Sequence, residues 1–257
     1  MATLLVVVHV PHERLGTLEP AFRAAGCELR TLNASDPKAA WPSAADVDGL
    51  VVMGGPMSVY QQARYPFLTR ELTLLRAALA RRRPVLGVCL GAQLLAEAAG
   101  GAGTVRAAPQ KEIGWYPVMR EPGADADPLC AAFESTETVF QWHGDTFRLP
   151  NGAVRLAASP LCPEQAFRYG DAAWGLQFHL EMTEPMIRAW LQQPANRAEL
   201  ATMKGVIDPM AIRQQSRQHL PRLQALAVHV AEVFAGCVAG AGLRGPRPAR
   251  SITRKES

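Results

Sequence analysis

Three short segments hold the residue types that could carry covalent chemistry. The first, Gly87-Val88-Cys89-Leu90-Gly91, follows the apolar run Pro84-Val85-Leu86 and precedes a helical pattern. A Gly-x-nucleophile-x-Gly sequence between a strand and a helix makes a sharp turn whose small flanking residues let the central side chain protrude. At a helix N-terminus, free N–H groups and the dipole favour the thiolate, the form of cysteine that attacks carbonyl carbon. A buried small residue in a Gly-rich turn would leave the same five letters. The second segment, Trp174-Gly175-Leu176-Gln177-Phe178-His179-Leu180-Glu181, alternates: Leu176, Phe178 and Leu180 fall on one face of a strand, and Gln177, His179 and Glu181 on the other. His179 and Glu181 can then lie side by side, a carboxylate orienting an imidazole that takes a thiol proton. The plainer alternative is a half-buried strand with a solvated polar face. The third segment, Gly49-Leu50-Val51-Val52-Met53-Gly54-Gly55-Pro56, reads as a strand emptying into a turn. Its glycines let the backbone approach a ligand closely, and the N–H groups of Gly55 and Leu90 could form an oxyanion hole. Each such donor is typically worth ~2.7–4 kcal/mol in a transition state. A tight turn after a buried strand explains the glycines equally well.

The elements that must position these residues follow from periodicity. Short apolar runs at 4–8, 49–53 and 84–88 read as strands, 28–32 is strand-like, and 15–25, 66–82 and 91–99 carry helical spacing. The stretch 66–82 places apolar residues at 68, 72, 75 and 79 on one helix face. This alternation is the signature of a sheet covered on both faces by helices. Beyond 100 the pattern changes to strands separated by turns, at about 103–107, 113–119, 138–142, 153–158, 164–168 and 174–180, so this half is expected to be antiparallel or mixed. A helix follows over 183–192, then helical segments over 197–237 broken at Gly205, Pro209 and Pro221.

Taken in order, a Cys elbow followed far downstream by a His-x-Glu pair, the sequence resembles the class I glutamine amidotransferases. The resemblance spans residues 48–190 and is closest to the amidotransferase domain of GMP synthases and to stand-alone proteins similar to it. It implies an open, mixed, mostly parallel α/β sheet flanked by helices, flavodoxin-like, with Cys89 as nucleophile, His179 as base and Glu181 as its partner. The stretch Gly54-Gly55-Pro56-Met57-Ser58-Val59 looks like the family's oxyanion turn, which places Gly54 beside the substrate, and Gln93 matches a glutamine lining the substrate pocket. Glu112-Ile113-Gly114-Trp115 and Gln141-Trp142-His143-Gly144-Asp145 fall at their expected places between elbow and His. His143 and Asp145 could hydrogen-bond the two ends of an amino-acid substrate, with a turn stabilised by Asp145 as the alternative. Such chemistry calls for no metal, nucleotide or organic cofactor. One departure is His179-Leu180-Glu181 in place of the usual His-Pro-Glu; Leu180 is expected to face the core and leave the His–Glu geometry intact. No P-loop or similar Gly-rich phosphate cradle follows residue 190, so ammonia would go to a separate synthetase. The other readings are a stand-alone γ-glutamyl hydrolase or peptidase, and a regulatory protein that keeps the fold without turnover.

Composition bounds these readings. With 257 residues, 48% hydrophobic and 19% charged, the chain can bury a substantial core. The expected organisation is a compact domain at 1–194, a helical extension at 195–239 and a basic tail at 240–257. Arg244, Arg247, Arg250, Arg254 and Lys255 against Glu256 account for the whole net charge of +4, so residues 1–239 sum to zero. A neutral body argues against a nucleic-acid partner, which needs a basic face on the folded domain. No run of ~18 uncharged apolar residues reads as a membrane span, and the N-terminal run is too short for a signal peptide, so a cytoplasmic location is expected. Five scattered cysteines without a C-x-x-C pair signal neither a disulfide framework nor a zinc site. His9 and His12, three apart with no acid or cysteine adjacent, read as surface-loop residues.

Overall fold

The computed structural model describes residues 1–203 and 205–243, so most of the basic tail lies outside the described residues. Side-chain alternation builds its layers. In β1 (Ala2–Val8), Leu4 and Val6 enter one apolar cluster, and Leu5 and Val7 enter a second on the opposite face. The same split occurs in β3 (Gly49–Val52), with Val51 on one side and Leu50 and Val52 on the other. These short central strands are buried on both faces, as parallel strands under two helical layers must be. β2 (Cys27–Asn33), β4 (Val85–Val88) and β9 (Ala173–Leu176) complete a parallel block in the order β2-β1-β3-β4-β9. β8 (Ala166–Tyr169), β7 (Ala153–Ala158), β5 (Val105–Arg120) and β6 (Thr136–Phe147) extend it antiparallel to a nine-stranded sheet.

α2 (Phe67–Ala80) and α3 (Leu90–Gly100) cover one face through Leu68, Leu72, Leu75, Leu94 and Leu95. α1 (Leu18–Ala24), α4 (Glu184–Gln192) and α6 (Pro209–Leu243) cover the other. Within α6, Leu223, Leu226, Val230, Phe234 and Val238 are buried in the same cluster as Leu4, Leu86 and Trp174. Phe234 packs edge-on against both Phe22 and Trp174, at 6.0 and 6.3 Å between ring centroids. Each side chain so buried contributes about 1.5–3 kcal/mol, enough to make this helix a structural layer. By length and composition α6 is also the one described helix that could cross a membrane, but its apolar stripe is spent against the sheet.

Three expectations need correction. Pro221 does not break α6, which runs through it; the ~3 kcal/mol cost of an internal proline is outweighed by the apolar face around it. The strands expected at 103–107 and 113–119 are one strand, β5, whose ladder to β6 is interrupted between Ala107 and Glu112 and resumes on either side. The polar stretch between them has no apolar alternation and so reads as a turn. The strand expected over 174–180 leaves the ladder at Leu176, and beyond it only His179 bridges to Phe140. A short helix, α5 (Pro194–Thr202), links α4 to the segment before α6.

Candidate active site

The parallel strands β1, β3, β4 and β9 end at one edge of the sheet, the edge at which α/β folds assemble their sites. Cys89 sits there between β4 and α3 with φ +52° and ψ −107°, outside the usual regions for a side-chain-bearing residue. Such a conformation costs of order 1–3 kcal/mol and persists only where its surroundings fix it. Here the Cys89 N–H donates to Leu176 O at 2.8 Å, and its carbonyl accepts from the Gln93 N–H at 3.1 Å as α3 begins. The flanking glycines are sterically required: a Cβ on Gly87 would lie 2.4 Å from Gly91 O, and one on Gly91 would lie 2.0 Å from Val52 O. The elbow is therefore wedged against β3, with the Cys89 side chain nearly buried at 6% exposure.

His179 and Glu181 meet as the sequence pattern predicts. His179 Nδ1 lies 2.7 Å from Glu181 Oε1, both side chains being buried. Cys89 stands beside the same ring: Cys89 Cβ and His179 Cε1 lie 3.6 and 3.0 Å from the point a Cβ on Gly54 would occupy. Trp190 of α4 stands perpendicular to the His179 ring at 4.9 Å and fixes its plane. Burial would lower the imidazole's proton affinity, but the Glu181 charge and the Cys89 sulfur outweigh it and hold the His179 pKa well above its ordinary value. A thiol, an imidazole and a carboxylate thus lie together in one buried series. Leu180 faces the core at 1% exposure, so the His-Leu-Glu departure does not disturb the pair.

Gly54 borders this series closely. A Cβ there would meet Glu13 Oε2 at 2.4 Å, His179 Cε1 at 3.0 Å and Cys89 Cβ at 3.6 Å, so any side chain would fill the space beside the sulfur. Leu90 is the first residue of α3, where backbone N–H groups have no intrahelical acceptor. Gln93 is buried and donates from Nε2 to Gln177 Oε1 at 3.1 Å and to Asp145 O at 3.3 Å.

Several side chains are placed differently from expectation. His143 does not open toward a substrate: Nε2 lies 2.9 Å from Glu112 Oε2 and Nδ1 lies 3.0 Å from Asp145 O, and the ring is buried, so both nitrogens are spent inside the fold. Asp145 stays partly exposed and accepts from the Tyr60 hydroxyl at 3.0 Å. His9 is no surface-loop residue; it is buried against Glu71 of α2 and Gly54 O. The apolar stripe of α2 held the clue, because Glu71 lies three residues after Leu68 and four before Leu75 and so requires a buried partner. Two residues near the sulfur escaped the sequence reading as functional groups. Gln177 donates to Cys89 Sγ at 3.7 Å. Glu13, in the loop after β1, is raised to about 7 by burial, against the pull of His179 and His9, with Glu181 adding to the rise. Its only sequence signal is an acid at the carboxyl edge of a strand.

The cluster Glu112, His143 and Cys162 brings three metal-ligating types within 4.8 Å. Its donors are already engaged: Glu112 accepts from Ser159 Oγ and Gln165 Nε2, both at 2.7 Å, and Cys162 Sγ lies 3.3 Å from Thr146 Oγ1. The arrangement fits a hydrogen-bonded core network.

An elbow cysteine and an imidazole–carboxylate pair thus stand together at the carboxyl edge of a mixed α/β sheet. The family description "Glutamine amidotransferase class-I" matches residues 16–189, and the chain belongs to that family. The glutamine amidotransferase-like protein YfeJ of Salmonella typhimurium is 39% identical over 167 residues, covering 64% of this chain and 68% of that protein. A GMP synthase (glutamine-hydrolyzing) of Porphyromonas gingivalis is 37% identical over 139 residues, 53% of this chain but only 25% of the synthase. Among solved structures, a glutamine amidotransferase from Thermotoga maritima superimposes with a TM-score of 0.81 at 32% identity, covering 91% of this chain and 98% of that one. One from Methylobacillus flagellatus gives 0.79 at 28% identity, covering 92% and 95%.

Proposed function

We propose that this protein hydrolyses the γ-amide of glutamine, or of a related γ-glutamyl compound, through a thioester on Cys89. The observation that carries the reading is the placement of Cys89, on a strained elbow, beside the hydrogen-bonded His179–Glu181 pair. Cys89 Sγ, as thiolate, attacks the amide carbon, and the carbonyl electrons move onto oxygen. The N–H groups of Gly55 and Leu90 receive that oxyanion. Collapse of the adduct expels ammonia, which takes its proton from His179 Nε2 and leaves a γ-glutamyl thioester. His179 then accepts a proton from water as the water attacks the thioester, glutamate departs, and the thiolate returns. Such proton shuttling is usually worth ~10²–10⁴-fold in rate. Glu181 holds the tautomer and stabilises the imidazolium, and Gln177 donates to the sulfur. Gly54, Gln93 and Asp145 border the bound amino acid. His143 supports that wall from behind through its bond to Asp145 O.

The fate of the ammonia is read from the relatives. The chain spans a quarter of the length of the GMP synthases it matches, and those whole proteins hydrolyse glutamine in the service of synthesis. We infer delivery to a separate synthetase. The test is purified protein given glutamine, with and without γ-glutamyl dipeptides. Glutamate and ammonia in equal amounts from glutamine support the reading. Rapid dipeptide cleavage with no action on glutamine would replace it with a stand-alone γ-glutamyl peptidase.

A further inference from the structure

We propose that the buried His9–Glu71 pair is a positioning device for the oxyanion hole: it fixes the Gly54–Gly55 peptide so that the Gly55 N–H faces the reacting carbonyl. The inference rests on the hydrolytic reading above and adds to it residues that touch neither substrate nor sulfur.

His9 follows β1, Glu71 stands on α2, and the two meet in the interior at 1% and 0% exposure. His9 Nδ1 lies 2.8 Å from Gly54 O, and Nε2 lies 3.0 and 3.2 Å from the two oxygens of Glu71. A carbonyl and a carboxylate only accept, so both ring nitrogens must donate and the ring carries both protons. Burial opposes that charge, and the Glu71 carboxylate and Gly54 carbonyl overcome it, raising the His9 pKa. A buried ion pair is weak evidence for stability, since apolar side chains of similar volume often do as well or better. Its neighbours Leu68, Leu72 and Leu75 show that this helix face is otherwise apolar. The pair therefore calls for another explanation, and its second hydrogen bond supplies one.

Gly54–Gly55 is the link most in need of a tether. Neither residue has a Cβ, so the backbone itself scarcely prefers one orientation of the peptide between them. In a planar trans peptide, the C=O and N–H point in opposite directions. Drawing Gly54 O toward His9 therefore turns the Gly55 N–H away from the ring, while Gly54 itself lies against Cys89 and His179. Glu71 completes the tether by holding the ring through its other nitrogen.

Two substitutions separate the tether from the pair. The side-chain amide nitrogen of Asn reaches where Nδ1 stands in histidine, and that of Gln reaches where Nε2 stands. His9→Gln keeps a donor for Glu71 and loses the bond to Gly54 O; its kcat should fall about 10²–10³-fold, as for loss of an oxyanion donor. Its KM should stay within threefold, and Cys89 should still be alkylated by iodoacetamide at the wild-type rate. His9→Asn combined with Glu71→Gln keeps the Gly54 tie in neutral form and should recover most of the lost kcat. Crystals of His9→Gln supply a readout independent of turnover, with Gly54 O rotated away from residue 9. A folded His9→Gln with kcat within threefold of wild type and an unrotated peptide would overturn the proposal. So would a loss of kcat matched by an equal loss of alkylation, because the damage would then lie in the thiol–imidazole pair. If wild-type protein turns over no γ-glutamyl compound, the hydrolytic reading fails, and the peptide's orientation in His9→Gln still decides the structural half.

Discussion

Two buried imidazole–carboxylate pairs in this molecule are made of the same parts and used differently. His179 meets Glu181 at 2.7 Å and His143 meets Glu112 at 2.9 Å, and all four side chains are sealed from solvent. They differ at the second nitrogen. In His143 it faces Asp145 O, a backbone group that undergoes no chemistry, whereas the His179 ring stands beside Cys89. The carboxylates differ in the same sense. Glu112 is saturated by His143, Ser159 and Gln165, but Glu181 Oε2 has no hydrogen-bond partner among the described residues. A fully satisfied pair is a strut; the pair beside the thiol, with one oxygen unspent, carries a polar cost, typically about 1–3 kcal/mol for a buried orphan.

Substitutions should divide along that line. The largest effect is expected for His179→Ala, which removes the proton shuttle: turnover of glutamine should fall about 10⁴-fold with little loss of substrate binding, checked by steady-state kinetics and calorimetric titration. Next is Glu181→Gln. It keeps a side chain of the same size but cannot stabilise the imidazolium, and it should cost about 10³-fold in kcat with the melting temperature nearly unchanged. The strut should behave in reverse. Glu112→Ala strands His143 and the donors around it, so the unfolding free energy should drop by about 3 kcal/mol while kcat/KM of the folded fraction changes less than tenfold. An equal kinetic penalty in the two carboxylate variants would erase the distinction.

The last effect concerns Glu13. Burial lifts this carboxyl from the usual 4.5 to about 7, so between those values the folded protein holds a proton that the unfolded chain has released. Stability from this group is therefore full at low pH and is lost as pH rises toward 7. Glu13→Gln removes that loss. Relative to wild type, the variant should gain about 3 kcal/mol on going from pH 4 to pH 8, measured by urea unfolding at each pH.

The same comparison explains what was legible beforehand. His179 and Glu181 are two residues apart, near enough in sequence for a local pattern to pair them although the strand itself ends at Leu176; the elbow around Cys89 is likewise a five-residue pattern. His143 and Glu112 lie 31 residues apart and His9 and Glu71 lie 62 apart, on elements whose pairing is a matter of tertiary packing. Spacing carries no information about such partners, so His143 looked free to meet a substrate and His9 looked exposed. The one hint was Glu71 on an apolar stripe. In the fold, the doubly buried parallel strands announced themselves as short apolar runs. The continuity of β5 through its polar middle and of α6 through Pro221 depends on partners distant in the chain, and local patterns read both as interruptions.

The central claim is that one sulfur does the chemistry. It can be tested by treating the protein with an electrophilic chloroketone analogue of glutamine and mapping the adduct by peptide mass spectrometry. A single modification at Cys89, blocked by excess glutamine and missing from Cys89→Ala, with Cys27, Cys130, Cys162 and Cys237 untouched, is the expected result. Glutamine-protected labelling of any other cysteine, or labelling that survives in Cys89→Ala, would contradict the account.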